Sequence, residues 1–394
     1  MNQCLLIGIG GVYNYGCEAI VRGTERILHH WYPQARVAYA SPREEDDRRR
    51  LGGCPVQVVS RPLISRYHPK NVARKVLSLL GSKWTPMRDR TATIRGYDAV
   101  LSIGGDLYTI QCDGSGPDAL IKLGDVCKHQ GVPYVVWGAS IGPFEANSRL
   151  KTRVAEHLAR VNLITAREST SAEYLKQLGI TQNVVQCADP AFTVAPEIVA
   201  PQVRHGSTLR IGINLSPLSA IQCGYSLDES AVQQAGSIQR LMDSYAANIV
   251  LLPHVVCDFN AMDDDRRYLA RVRDLLPVAL RSRVDLVADD SGFIGIKRHI
   301  TECDLVIAAR MHCAINAVSA HVPALILAYS SKASGMGRYI YDNDQWSMPL
   351  REFTSESFVG RVGACLKLSA SFRARSSDRL DRIRSEAYGT SAPL

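Results

Sequence analysis

An α/β fold built of two Rossmann-like domains facing each other across a cleft is what this 394-residue sequence predicts. Three observations carry that expectation. Short apolar runs alternate with amphipathic segments, the sign of parallel strands covered by helices. Several of those runs end in glycines, as tight strand-to-helix turns require. The length also exceeds what one hydrophobic core usually serves, so two cores are expected.

In the first half the apolar runs 4–9, 36–40, 56–59, 99–103, 134–137, 163–166 and 184–187 predict strands, with helices over 17–30, 118–130 and 169–178. Residues 46–95 are less regular. A basic helix over 70–80, bounded by Pro69 and Gly81, reads as a surface insertion or as an excursion facing the acceptor or a membrane. A Pro-containing stretch at 195–207 reads as a linker, after which strands are predicted at 209–214, 247–252, 284–287, 305–308 and 324–328. The expected domains are residues 1–200 and 205–370, followed by a C-terminal helical segment over 371–394. Ligands of open α/β sheets bind beyond the carboxyl ends of the strands, so the active site is expected in the cleft.

Composition narrows the class. Hydrophobic residues at 46% and charged residues at 21% exclude a disordered or fibrous chain, and no repeat of 20 to 50 residues is visible. Eleven cysteines stand singly with no C-x-x-C pair, which argues against a disulfide framework or a zinc ribbon and for a reducing compartment. No metal-ligand spacing is evident. The net charge of +8 is spread over 36–50, 61–95 and 266–283, able to attract an anionic substrate or an acidic membrane surface; no nucleic-acid motif accompanies it, so no nucleic-acid partner is expected. The apolar residues 1–11 lack a basic flank and run into a glycine turn, reading as a buried strand, and no apolar run reaches about 18 residues. The expected location is the cytoplasm.

Four strand exits carry the candidate chemistry. Gly8, Gly10 and Gly11 close the first strand before a helix that begins near Gly16, and unpaired N–H groups at such a helix start suit an anion or a carbonyl. At 101–106 an apolar strand ends in Gly104, Gly105 and Asp106, the aspartate reading either as a turn cap or as a general base toward a sugar hydroxyl. Residues 136–143 form a third glycine-bearing exit. The sharpest signal is Arg310 and His312 on one strand-to-helix turn, where two donors and the helix dipole converge on a phosphate or carboxylate. Lys332 lies at a neighbouring exit and Arg167 at the equivalent place in the first half.

Taken in order, these residues resemble the polysaccharide pyruvyl transferases: Tyr15-Gly16 with Glu18-Ala19-Ile20, Gly104-Gly105, Gly138 with Ile141-Gly142-Pro143, Ala166-Arg167-Glu168-Ser169, Ala188-Asp189-Pro190-Ala191-Phe192, Leu252-Pro253-His254, Arg310-Met311-His312, and Pro323 with Tyr329 and Lys332. The resemblance implies an architecture similar to the GT-B glycosyltransferases, with the C-terminal segment packing back on the first domain. It implies transfer of a pyruvyl group from phosphoenolpyruvate, a co-substrate with no further cofactor, to two hydroxyls of a sugar. Arg310, Arg167, Lys332 and His312 would hold phosphoenolpyruvate, His312 and Asp106 would be catalytic, and Tyr15, Gly16, Glu18, Gly105 and His254 would face the acceptor. Two departures, Cys17 where an acidic residue is expected and Asp106 where a third glycine is expected, both fall on the acceptor side. A lipid-linked acceptor would bring the protein to the inner membrane face. Two rivals remain: a GT-B nucleotide-sugar glycosyltransferase, and a basic module binding anionic glycan or lipid through 70–95.

Overall fold

The computed structural model describes residues 1–61, 94–110, 114–194, 208–222, 224–329, 331–354 and 356–389; the expected basic helix at 70–80 and linker at 195–207 lie outside them. Seven strands form the first sheet: β1 (Gln3–Ile7), β2 (Arg36–Ser41), β3 (Gln57–Ser60), β4 (Ala99–Ile103), β5 (Tyr134–Ala139), β6 (Leu163–Ala166) and β7 (Val184–Gln186), in the order β3-β2-β1-β4-β5-β6-β7. Six form the second: β8 (Arg210–Asn214), β9 (Asn248–Leu251), β10 (Val284–Leu286), β11 (Leu305–Ala308), β12 (Ala324–Ala328) and β13 (Ser347–Pro349), in the order β10-β9-β8-β11-β12-β13. Every strand pairing is parallel. Helices cover both faces of such sheets, which is why β4 and β12 are buried at every residue and read as unbroken apolar runs.

Both sheets reverse direction at the same place in their order, between β1 and β4 and between β8 and β11, and ligand sites form outside the strand ends at such switch points. Each switch point launches a helix: α1 (Tyr15–Trp31) after β1 and α2 (Met311–Ser319) after β11. The turn out of β1 needs its glycine. Gly8 has φ +133°, and a Cβ there would stand 2.7 Å from the carbonyl oxygen of Ile103.

The halves meet in contact. Tyr15 N donates to His254 O at 2.9 Å, Val256 N donates to Tyr13 O at 3.0 Å, and Asn14 and Val255 form an antiparallel bridge. One hydrophobic cluster runs through both halves, joining Ile9, Val12 and Tyr15 to Leu252, Phe293 and Ile296. Because α1 lies in this shared core, nearly all of its first four turns are buried. A single helix, α3 (Ser357–Gly389), continues unbroken through residue 371 and straps the two halves: Arg373 Nη2 donates to Cys303 O at 2.9 Å on the second, and Trp31 Nε1 on the first donates to Tyr388 O at 2.6 Å.

Candidate functional site

The N-termini of α1 and α2 face each other where the halves join. Asn14 caps α1, its side chain accepting from Gly16 N at 2.9 Å, and Arg310 occupies the cap position of α2 in extended backbone. The His312 ring lies flat against Gly16, so closely that a Cβ on Gly16 would stand 2.4 Å from His312 Nδ1. The same relation recurs between β4 and β6: a Cβ on Gly105 would stand 2.4 Å from Nη2 of Arg167. Gly16 and Gly105, expected to approach an acceptor, instead give room to the two cationic side chains.

Arg167 is 0% exposed. Its Nη1 donates to Asp189 Oδ2 at 2.8 Å and its Nε donates to Ser140 Oγ at 2.9 Å, with Glu168 at 3.5 Å and Asp106 at 3.7 Å. Burial works against the guanidinium charge, but these carboxylates, Asp189 foremost, overcome it and raise the proton affinity of Arg167 further. From the second half, His312 Nε2 comes to 3.4 Å from the same Asp189 oxygen, an ion-pair distance without hydrogen-bond alignment. Burial opposes ionisation of Asp189, yet the charges of His312 and Arg167 hold its carboxyl well below the usual carboxylate range. Among the described residues, two buried donors, Arg167 Nη2 and His312 Nε2, have no hydrogen-bond partner. The structure therefore brings Arg167, His312 and Asp106 together around Asp189, with Asp106 exposed at the outer end.

Arg310 is placed differently. Its Nε and Nη2 both contact Asp265, at 2.8 to 3.0 Å, and Nη2 reaches Asp263 at 3.4 Å. Asp265 is buried and also accepts from His254 N at 2.9 Å, Val255 N at 3.1 Å and Asn214 Nδ2 at 3.4 Å. The free cation expected at this turn is thus half of a neutralised fork, because the helix Asp265–Asp274 that follows the loop after β9 starts with a carboxylate against it. Asp265 raises the proton affinity of Arg310 against the opposing effect of burial. The side chain keeps 13% exposure, and its Nη1 makes no hydrogen bond among the described residues.

Three residues expected at the acceptor are buried where the halves join. Tyr15 is buried and its hydroxyl donates to Asp290 at 3.0 Å. Glu18 is buried between Arg22 Nε and Phe293 N, accepting from each at 2.8 Å. His254 is buried with Nε2 3.3 Å from Asn316 Nδ2, and burial, aided by the charges of Arg310 and His312, pushes its pKa down to about 3. All three are buried: Tyr15 and Glu18 bond to the second half, and His254 bonds within its own half while its ring lies 5.8 Å from that of Tyr15. Lys332 lies outside the residues whose side chains are described.

Sequence reasoning left Asp189 and Asp265 without roles, although Asp189 sits in one of the recognised blocks. Cys17 was noted only as a departure; its thiol lies within electrostatic reach of both Arg310 and Arg167, and burial pushes its pKa up to about 12. At the rim, Tyr13 and Phe259 from opposite halves meet edge to face at 4.9 Å, with the Arg43 guanidinium 3.3 Å over the half-exposed Phe259 ring. A cavity of about 280 Å³ lined by Lys128, Tyr134, His157 and Arg160 opens at the starts of β5 and β6, the end away from these residues. No helix among the described residues is long and apolar enough to cross a membrane.

The family model described as polysaccharide pyruvyl transferase matches residues 14–331. The amylovoran biosynthesis protein AmsJ of Erwinia amylovora is 26% identical over 261 residues, 62% of this chain and 60% of its own length, so the match spans three fifths of that relative. Among solved structures, a glycosyltransferase from Rickettsia africae superposes with TM-score 0.58 at 9% identity, covering 100% of this chain and 99% of its own. HepE of Anabaena, solved with UDP and glucose, gives TM-score 0.57 at 13% identity with 100% of both chains covered. UDP-GlcNAc 2-epimerase of Neisseria meningitidis, solved with UDP-GlcNAc, gives 0.55 at 12% identity over 98% of this chain and 99% of that one. These structural likenesses establish the GT-B-type fold, which hosts several chemistries.

Proposed function

The chain belongs to the polysaccharide pyruvyl transferase family, and from that premise we propose that it moves the pyruvyl group of phosphoenolpyruvate onto two hydroxyls of a sugar, closing a ketal and releasing phosphate. The observation that carries this reading is the pair of buried, unpartnered donors on Arg167 and His312 beside one carboxylate where the halves meet. A buried donor without an acceptor costs about 1–3 kcal/mol, and a bound anion removes that cost. Phosphoenolpyruvate carries a carboxylate and a phosphate, about three negative charges together, and arginine forks suit both groups. Arg167 and His312 take one of these groups, and Nη1 of Arg310, the edge turned away from Asp265, takes the other.

In the reaction that follows from this placement, cationic His312 gives its proton to the methylene carbon, and the central carbon becomes oxocarbenium-like. One sugar hydroxyl adds there as its proton passes to Asp106. The bond between the central carbon and the phosphate oxygen then breaks, its electron pair leaving with phosphate, which carries off the proton gathered by Asp106. The second hydroxyl adds, closes the ketal and returns a proton to His312. General acid catalysis of this kind commonly contributes about 100- to 10,000-fold. The sugar approaches from the side of the exposed Asp106 carboxylate. A lipid-linked acceptor together with the +8 charge would hold the protein at the inner membrane face.

The test is phosphate release from phosphoenolpyruvate with lipid-linked, nucleotide-linked and polymeric sugar acceptors, followed by product mass. A mass gain of pyruvic acid less one water, in step with phosphate, is the expected result. Turnover of a nucleotide sugar with no response to phosphoenolpyruvate would overturn the reading in favour of a glycosyltransferase.

A further inference from the structure

Among the described residues, Asp189 is the acidic side chain that touches both Arg167 of the first half and His312 of the second. Its Oδ2 accepts from Arg167 Nη1 at 2.8 Å and stands 3.4 Å from His312 Nε2, while its Oδ1 accepts from Ala191 N at 2.9 Å and caps the short 3-10 helix Pro190–Thr193. That helix is pinned in turn. Its Pro190 carbonyl presses on Gly23 of α1, where a Cβ would stand 2.0 Å away, Arg26 donates to Thr193 O at 2.8 Å, and Arg384 of α3 donates to Phe192 O at 3.3 Å. The carboxylate thus has a fixed address set by α1 and by the strap helix, whereas the two cations it touches come from separate sheets.

We propose that Asp189 is a positioning residue: it aligns Arg167 of the first half with His312 of the second so that their unpartnered donors, Nη2 and Nε2, meet a single anionic group. This rests on the reading of the site as a phosphoenolpyruvate pocket. Contact with both groups gives the assignment its physical content: Arg167 Nη1 at 2.8 Å and His312 Nε2 at 3.4 Å meet the same carboxylate oxygen. Among the described residues Asp189 is the carboxylate within ion-pair distance of His312, and His254 of its own half lies within electrostatic reach of it. Asp265 is satisfied by Arg310 and two backbone N–H groups, which leaves Asp189 as the carboxylate whose removal reaches His312.

Asp189→Asn keeps the shape and removes the charge. With phosphoenolpyruvate and an acceptor found active on the wild type, the KM for phosphoenolpyruvate should rise at least about tenfold while the KM for the acceptor stays near the wild-type value, as a misaligned charged hydrogen bond costs about that factor. An unmoved KM for phosphoenolpyruvate in a folded Asp189→Asn overturns the assignment while leaving the pyruvyl transfer reading intact. Asp189→Glu retains the charge but shifts it by a methylene, so kcat should fall at least about tenfold; wild-type kcat in Asp189→Glu overturns the positioning role even if Asp189→Asn does not fold. A wild type that neither binds phosphoenolpyruvate nor releases phosphate with any acceptor overturns the pocket reading and this assignment with it.

Discussion

Arg167 in the first half and Arg310 in the second both follow a buried parallel strand, and each lies against a buried aspartate. Their aspartates differ in what else they hold. Asp265 is saturated within its own half by the Arg310 fork, two backbone N–H groups and Asn214, so that pair fastens the loop after β9 to the turn before α2. Asp189 shares its oxygen between Arg167 and a histidine of the other half, and leaves one donor on each without a partner. A buried ion pair is weak evidence of function when all its hydrogen bonds close on themselves, and becomes informative when they do not. The first pattern describes a scaffold, and the second fits the proposed anion site.

That contrast can be broken in order of expected effect. Removing the scaffold carboxylate in Asp265→Ala leaves Arg310 uncompensated in a nearly buried position, and the stability loss should be about 3–5 kcal/mol in denaturant unfolding; an unchanged midpoint would erase the distinction between the two pairs. His312→Gln should instead leave the unfolding midpoint near that of the wild type while kcat falls about 100- to 10,000-fold. A loss of stability without a loss of turnover would move His312 to the scaffold side.

Acid separates the two regions more gently. The neutral rings of His254 and His157, pushed by burial to about 3 and about 4, bind fewer protons folded than unfolded at any pH between those values and the ordinary histidine value of about 6.5. Stability therefore falls as pH drops through that window, by on the order of one kcal/mol per pH unit for each ring. Asp189, held well below the usual range, contributes stability that is present above about pH 4 and is lost only below it, so its pair with Arg167 stays ionised while the histidines act. Unfolding free energies measured from pH 7 to 4.5 should decline steadily, and a flat profile would contradict the burial of His254. Smallest of all, Gly105→Ala and Gly16→Ala should each raise the KM for phosphoenolpyruvate by about tenfold through displacement of Arg167 or His312, in keeping with about 1–3 kcal/mol for overpacking; wild-type KM would show that these side chains are free to shift.

What could be read from the sequence follows from the range of the forces involved. Parallel strands buried on both faces announce themselves as apolar runs, and glycine turns mark their exits, so both sheets and the exits bearing Arg167, Asp106 and His312 were legible. The buried placement of Tyr15, Glu18 and His254 was not, because a position at a strand exit does not say whether the side chain turns to solvent or into the protein, and here all three are buried. Asp265 lies 45 residues from Arg310, and Asp189 lies more than a hundred from His312; no local periodicity reports such pairings. The edge strand β13 was missed because three residues, one of them Pro349, carry too little pattern.

The central claim is that an anion binds where the two halves meet, through the fork of Arg167. Calorimetric titration of phosphoenolpyruvate into the wild type and into Arg167→Lys, which keeps the charge but loses the Nη2 donor, tests it most directly. At least about tenfold weaker binding in the folded lysine variant is the predicted result, as a bidentate guanidinium and a point charge are not interchangeable. Equal affinity in the two proteins would place the anion elsewhere and contradict the account.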